Sequence, residues 1–212
     1  MAIESQGFLL EMETGSGGAV TLTDIAVGYP TILTKSDHGL SNGDVVTLAN
    51  FAGDNAADIN GQVKVVMFAT DDTFAVDLDT TGKTITDNTN QATATPKALT
   101  EIGEVVDWSG PSGSASEIDY TYLRATAKKF MMGLPDEGQW TLNINWEPTD
   151  TGQQAAIAAR VARAKKSFKA TYSDDSTATF DGYVMGVSSS GAVDGKVSGS
   201  ITIRIDGEVT YA

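Results

Sequence analysis

Only one histidine, His38, is available in this 212-residue chain for acid-base or triad chemistry. It stands beside Gly39 in a stretch rich in turn residues. A proton relay through histidine, or a serine nucleophile activated by histidine, would have to use this residue. No serine lies in a Gly-x-Ser-x-Gly motif, so we interpret His38 as an exposed or capping turn residue without a catalytic role.

Aspartates offer a second possible chemistry, the binding of a divalent cation. Asp77 and Asp79 resemble the start of a calcium loop, but Thr81 occupies a ligand position and Asn88 stands where the bidentate glutamate is required. Two further pairs lie in predicted turns, where aspartate hydrogen-bonds its own backbone: Asp71-Asp72 and Asp174-Asp175. No carboxylate pair suggests a hydrolase, and we expect no metal, no cofactor and no enzymatic activity.

The composition limits the possible partners. Cysteine is absent, which removes disulfides and thiol chemistry and fits synthesis in a bacterial cytoplasm. With 28 acidic and 14 basic residues the net charge is −14, and such a surface repels phosphate backbones and anionic membranes. The first 14 residues lack the pattern of a signal peptide or membrane span. We therefore expect no membrane binding and no sequence-specific DNA binding.

Residues 140–205 predict one helix on an antiparallel sheet. Residues 140–146 alternate apolar and polar side chains, as a half-buried strand does. Asp150, with Gln153 three residues later, predicts the start of a helix from about 150 to 166. Three further β-runs follow, at residues 168–172, 177–187 and 197–205.

The helix has two distinct surfaces. Ile157, Val161, Ala164 and Phe168 recur at the spacing of one helical face, which predicts that this face is buried. The remaining surface is small-sided, and the backbone of a neighbouring subunit could approach it closely. Its alanines are Ala155, Ala156, Ala158, Ala159 and Ala162.

The rest of the chain predicts an arm, an insertion and the first part of the main domain. Residues 1–17 are predicted to form an N-terminal arm with an edge strand, since Phe8, Leu10 and Met12 alternate with other residues. Residues 18–96 show short β-runs separated by turn signals, which predict an inserted small β-barrel. The main domain is predicted to span residues 97–212.

A loop is predicted at residues 124–138, after a strand in which Ile118, Tyr120 and Tyr122 alternate. This loop combines basic side chains with several large apolar ones. Such a segment either folds onto its own domain or binds a partner. We favour the second interpretation.

Several motifs follow one another in a characteristic order: residues 147–154 at the helix start, 180–184 in the second strand after it, and 190–194 followed by 199–205. Their order and spacing resemble those of the major tail tube protein of long-tailed, non-contractile bacteriophages. Residues 102–134 are similar to the first strands and long loop of the same family. A string of motifs between Pro30 and Phe74 is similar to small β-modules of phage tail proteins.

This resemblance implies a mainly β fold: an antiparallel sandwich or barrel flanked by one helix, with the inserted small β-barrel. It implies a virion structural protein whose hexameric rings stack into the tail tube through which DNA is ejected. The implied partners are copies of the chain itself and the tape measure, tail tip and terminator proteins, with DNA as non-specific cargo. The implied location is the virion tail, after synthesis in the host bacterial cytoplasm.

The resemblance also directs attention to a subunit interface built from the arm, the loop and the basic side of the helix. The candidate residues are Phe8, Leu10, Tyr122, Arg124, Lys128, Lys129, Phe130, Leu134, Asp136, Arg160 and Arg163. We expect acidic residues to face the bore and the insertion to decorate the outside of the tube. Two alternative functions stay open: a tube component of a secretion system or contractile tail, and a carbohydrate-binding or adhesion β-module.

Overall fold

A computed structural model describes residues 6–212, so the first five residues of the predicted arm lie outside the described part of the chain. The strands are β1 (Leu9–Ser16), β2 (Val20–Thr21), β3 (Asp24–Ala26), β4 (Thr31–Thr34), β5 (Val45–Ala49), β6 (Val63–Met67), β7 (Thr73–Val76), β8 (Thr93–Glu101), β9 (Val105–Ser109), β10 (Ser114–Asp119), β11 (Phe130–Asp136), β12 (Gln139–Asn145), β13 (Lys166–Thr171), β14 (Thr177–Ser190), β15 (Ser198–Ile205) and β16 (Thr210–Tyr211). One α-helix, α1 (Thr151–Ala162), and a short 3-10 helix (Ala56–Asp58) complete the described elements. The predicted mainly β, antiparallel fold with one helix is confirmed.

The chain divides into two compact units. Unit 1 contains the described residues up to Glu101 together with residues 167–179 and 210–212, and unit 2 contains residues 102–166 and 180–209. The predicted insertion, residues 18–96, lies wholly within unit 1. Its status as a separate domain stays a prediction.

Strand β1 lies inside the sheet of unit 1. It pairs with β8 on one side, where Met12 lies opposite Thr100, and with β13 on the other, where Met12 lies opposite Phe168. Leu10 and Met12 are buried, as their alternation predicts. The prediction of an edge strand was wrong, because the partners on both sides come from distant parts of the sequence.

The insertion has its own apolar core, with Leu33, Leu48, Val66 and Phe74 among its buried side chains. The strands follow the order β3-β4-β7-β6-β5-β8, and β2 pairs with β8. Among the described strands no pairing joins β3 to β2 or β8, so the expected closed barrel is an open antiparallel sheet. Strand alternation predicts which side chains are buried, but it does not determine whether a sheet closes.

The turn before β5 contacts strands β13 and β14 within unit 1. Lys169 Nζ donates to Asp44 Oδ1 at 2.9 Å, and Thr179 Oγ1 donates to the Gly43 carbonyl at 3.2 Å. Gly43 has φ +83°, and a Cβ there would lie 2.4 Å from Thr177 Oγ1. A side chain therefore cannot be added at Gly43 without displacing Thr177.

Unit 2 is organised on the strand order β14-β15-β12-β9. Trp140 lies opposite Ile203, and its ring stacks on that of Phe180 with 5.2 Å between centroids and 7° between planes. On the other face, Asn143 lies opposite Ser200. The alternation predicted for residues 140–146 thus separates an apolar core from a polar surface.

The helix begins where the sequence predicts and ends earlier. Asp150 is the N-cap, and its Oδ1 accepts a hydrogen bond from Gln153 N at 2.7 Å. Arg163 adopts the left-handed conformation, with φ 53°, and its N–H bonds to the carbonyls of Ala159 and Arg160. The helix therefore ends at Ala162, and the prediction that it extends to about residue 166 was wrong.

The buried face of α1 also differs from the prediction. The structure buries Gly152, Gln153, Ala156 and Ala159, whereas Val161 is 76% exposed. The Gln153 side chain donates to the carbonyls of residues 103 and 145 and accepts from the N–H of residue 147, which fixes the rotation of the helix. Small side chains allow close packing, so Gly152, Ala156 and Ala159 form the buried face, whereas Ala158 and Ala162 are exposed.

Candidate subunit interface

The segment predicted as a loop is one arm of a β-hairpin. β10 and β11 form a separate two-stranded antiparallel sheet in which Glu117 lies opposite Met132 and Asp119 lies opposite Phe130. The register shifts between Ala115 and Glu117. The hairpin is therefore a regular feature of unit 2, and the prediction of a loop over residues 124–138 was wrong for Phe130–Asp136, which form β11.

The hairpin exposes an unusual amount of apolar surface. Every residue of β10 is exposed, and Leu134 on β11 is 90% exposed. The other exposed large apolar side chains of the hairpin are Ile118, Tyr120, Tyr122, Leu123, Phe130, Met131 and Met132. An open groove of about 510 Å³ lies between residues 115–117 and 130–132. Contiguous apolar surface of this kind is typical of a protein interaction site.

The tip of the hairpin is shaped by local hydrogen bonds. Thr121 N donates to Asp119 Oδ1 at 2.8 Å, and Lys129 N donates to Thr121 Oγ1 at 2.9 Å. The Thr121 hydroxyl and then its N–H lower the pKa of Asp119 from its usual 3.8, so this carboxylate is ionised above that pH. The side chains of Asp119 and Thr121 thus hold the connection between β10 and β11.

Two lysines lie over aromatic rings of the hairpin. Lys129 Nζ is 4.7 Å from the ring centroid of Tyr122, and Lys128 Nζ is 5.8 Å from that of Phe130. A cation over the face of an aromatic ring is attracted by the ring quadrupole. The tip, which also carries Arg124, therefore presents positive charge and apolar surface together.

The base of the hairpin is tied to β15. Arg204 forms an ion pair with Asp136, and Gly138 N donates to Asp136 Oδ1 at 2.9 Å. The Gly138 N–H and then Arg204 lower the pKa of Asp136 from 3.8. Gly138 has φ +77°, and a Cβ there would lie 2.4 Å from the Ser112 carbonyl. The direction in which the hairpin leaves the sheet is thereby fixed.

A second surface lies where α1 ends beside β14. An open groove of about 360 Å³ is lined by Arg160, Arg163, Tyr183 and Met185, together with Ala159, Ala164 and Val184. Within residues 6–212, neither guanidinium makes a side-chain hydrogen bond or ion pair. The groove combines apolar side chains with two cations that are free to bind a partner.

The residues predicted for the interface fall into three places. The hairpin carries Tyr122, Arg124, Lys128, Lys129, Phe130, Leu134 and Asp136, and the groove carries Arg160 and Arg163. Phe8 is half-buried, its ring 5.8 Å from that of Tyr172, whereas Leu10 is fully buried. Leu10 is therefore a core residue of unit 1, and an interface role for the others stays a prediction.

Several exposed apolar residues were absent from the predicted set. Leu123, Met131 and Met132 belong to the hairpin, Met185 lines the groove, and Val161 is exposed on α1. The sequence signal for the hairpin residues was their clustering between two strands. Met185 carried no such signal, because it alternates with core residues in an ordinary β-strand pattern.

The side chains considered for chemistry make local contacts in this fold. His38 is buried, its Nδ1 accepts from Leu40 N at 3.0 Å, and its ring meets that of Phe74 edge-on at 5.1 Å. Asp79 accepts from Thr81 N at 2.9 Å, as expected of a turn aspartate. Among residues 6–212 no three acidic or histidine side chains are placed to hold a metal ion. The described helix is too short to cross a bilayer.

The chain is similar to one known protein family and to a solved structure. Residues 70–212 match the sequence profile of the family described as lambda phage tail tube protein. A solved structure, the virion of a native gene transfer agent particle, aligns with a TM-score of 0.48 and 14% identity, over 54% of this chain and 88% of that chain. No curated protein shows significant sequence similarity to the chain.

Proposed function

The chain belongs to the lambda phage tail tube protein family, and from this membership we propose that it forms hexameric rings that stack into a tail tube. The family is structural, and the chain is a structural component of a phage tail. In the proposed function the tube is the conduit through which DNA leaves the capsid. DNA is non-specific cargo, and the tape measure, tail tip and terminator proteins are further partners.

The β10–β11 hairpin is the observation that carries this proposal. Leu123, Met132 and Leu134 are exposed to water in the monomer and do not stabilise it. Burial of each side chain at an interface is favourable by about 1.5–3 kcal/mol. The basic tip adds charge that an acidic neighbour attracts, since the chain carries a net charge of −14. We propose that the hairpin contacts a second copy, either in the same ring or in the next one.

Ring closure requires a contact between two different surfaces of the same chain. Within the described residues β9 pairs only with β12 and is the last strand in this order, so its outer edge can accept a further strand. Edge-to-edge contact through β9 is our proposal for the lateral interface. The hairpin would then supply contacts beyond the sheet.

The polar face of β12 and β15 is our proposal for the wall of the bore. It carries Thr141 opposite Thr202 and Asn143 opposite Ser200. These four side chains are small and uncharged, and the cation on this face, Arg204 opposite Gln139, forms an ion pair with Asp136. The face therefore offers neither an unpaired cation for phosphates nor an aromatic ring for bases. A surface of this composition would let DNA pass without binding it. The sequence led us to expect acidic residues at the bore. On the basis of this face, we propose instead a bore lined chiefly by hydroxyl and amide groups.

Electron microscopy of concentrated purified protein tests the proposal directly. The expected result is rings with sixfold symmetry, or tubes, in equilibrium with monomer. A persistent monomer at high concentration would contradict self-assembly, and rings with another symmetry would contradict the hexamer.

Variants of the hairpin test the observation that carries the proposal. We expect Leu134→Asp, and separately Lys128→Glu/Lys129→Glu, to leave the monomer folded and to reduce assembly at least tenfold in sedimentation velocity. Val27→Asp is the matched control, because Val27 is an exposed apolar residue of the insertion. Normal assembly of both hairpin variants would show that the hairpin is not an interface.

A further inference from the structure

The insertion holds a large aromatic side chain in water. Phe68 is 73% exposed and lies in the turn between β6 and β7 with φ 51°. The left-handed region is unfavourable for a residue with a bulky side chain and favours glycine or asparagine. Phe68 is therefore unfavourable for the isolated chain on two counts, its exposure and its backbone conformation.

The turn that carries Phe68 is held in one conformation. Ala69 N donates to Asn42 Oδ1 at 2.8 Å, Thr70 N donates to the Thr73 carbonyl at 2.8 Å, and Thr73 N donates to Thr70 Oγ1 at 3.0 Å. The two residues at its tip, Asp71 and Asp72, are exposed. The turn thus presents one aromatic ring and two carboxylates in a preformed arrangement, which reduces the entropy lost on binding.

The groove at the end of α1 is complementary to this turn. Its volume of about 360 Å³ is sufficient for an aromatic side chain, and Met185, at its rim, is 62% exposed. Methionine sulfur contacts aromatic rings favourably. Arg160 and Arg163, whose guanidinium groups form no hydrogen bond or ion pair in residues 6–212, can bind carboxylates or lie over a ring.

We propose that the Phe68 turn of one copy, residues 68–72, binds in the Arg160/Arg163 groove of a second copy. This inference rests on the proposed function, because it requires that copies of the chain assemble. The contact joins two different surfaces, so it repeats from copy to copy around a ring or along a tube. It gives the insertion a role in assembly beyond decoration of the outer surface.

Disulfide trapping tests the contact, since the chain contains no cysteine. Phe68→Cys and Met185→Cys are prepared as separate proteins, mixed, assembled and oxidised. We expect a covalent dimer in the mixture and none with either variant alone. Tyr29→Cys, also exposed in the insertion, replaces Phe68→Cys in the control mixture, where no dimer is expected. Assembled tubes without a Phe68–Met185 crosslink would overturn the proposal.

A charge exchange tests the role of the two arginines. We expect Arg160→Glu/Arg163→Glu to raise the critical concentration for assembly at least tenfold, and Asp71→Arg/Asp72→Arg to do the same. Combining all four substitutions in one chain should restore assembly to within about threefold, because the charges are again opposite. In the control, Asp54→Arg/Asp58→Arg, also in the insertion, is combined with Arg160→Glu/Arg163→Glu and should not restore assembly. Failure of the combined variant, while the wild type assembles, contradicts the proposed pairing.

Phe68→Asn separates a binding role from a structural one. Asparagine tolerates the left-handed conformation, so the melting temperature of the monomer should be equal or higher. Assembly should weaken at least tenfold, because the ring is lost. Unchanged assembly with lost binding to cell-surface glycan would instead identify Phe68 as an adhesion residue and overturn the inference. If the wild type forms neither rings nor tubes, the proposed function itself fails, independently of these variants.

Discussion

Lys169 donates a hydrogen bond to Asp44 Oδ1 at 2.9 Å, although Lys169 is only 9% exposed. Lys169→Met would leave the partly buried Asp44 without its cation. We expect a loss of about 3 kcal/mol in the free energy of unfolding, measured with urea. Lys83→Met removes an exposed ion pair with Asp58 and should cost less than about 1 kcal/mol. Equal losses in the two variants would show that burial does not strengthen the first pair.

Gly43 and Gly61 allow backbone strain and steric overlap to be measured separately. Both have φ near +83°, but only Gly43 faces another residue, Thr177, at a distance too short for a Cβ. We expect Gly61→Ala to cost about 1 kcal/mol and Gly43→Ala about 3 kcal/mol or more. Thermal unfolding followed by circular dichroism measures the difference. Similar melting temperatures for the two variants would mean that Thr177 moves aside without cost.

The orientation of α1 predicts which substitutions on the helix are tolerated. Ala156 is fully buried, so Ala156→Leu should overpack the core and cost about 1–3 kcal/mol in chemical denaturation. Val161→Leu, on the exposed side, should change stability by less than about 0.5 kcal/mol. A larger loss of stability for Val161→Leu than for Ala156→Leu would instead support the buried face predicted from the sequence.

Glu11 and Asp174 should make opposite contributions to the pH dependence of stability. Burial, opposed by Lys169, raises the pKa of Glu11 from 4.5, so the stability it contributes is present below pH 4.5 and lost as the pH rises through the folded-state pKa. Glu11→Gln should therefore be more stable than wild type near neutral pH and similar to it at pH 3. Urea titrations between pH 3 and 7 measure this difference.

Asp174→Asn is the matched comparison. The Ser176 hydroxyl and then its N–H lower the pKa of Asp174 from 3.8, so the wild-type carboxylate stabilises the fold above pH 3.8 and loses that contribution on acidification. The variant should therefore fall below wild type as the pH rises. If the stability of both variants changed in the same direction relative to wild type as the pH rises, the opposite pKa shifts of Glu11 and Asp174 would be contradicted.

Strands and helix starts could be predicted where they depend on residues close together in the sequence. Alternation located β12, and Asp150 with Gln153 located the start of α1. The buried face of the helix could not be predicted from apolar spacing, because Gln153 reaches carbonyls that are close only in the folded chain. The central position of β1 depends on pairing with β8 and β13, and residue patterns carry no information about such distant partners.

The candidate interface was predictable in part for a similar reason. Clustered apolar and basic residues marked residues 124–138 as a binding segment, since such clusters are rare on a free surface. That this segment pairs with β10 depends on register, which its glycines and proline obscure. The groove at Arg163 depends on the left-handed residue that ends α1, and no glycine or asparagine stands there to indicate it.

The position of β1 has a consequence for biosynthesis. Glu13 accepts a hydrogen bond from the backbone of Ser167, a residue 154 positions later, and β13 pairs with the first half of β1, Leu9–Met12. A ribosome must therefore synthesise the chain through β13 before β1 has partner strands on both sides. Until then the β13 side of β1 lacks its partner strand in the nascent chain, and completion of this part of the sheet waits for that later segment.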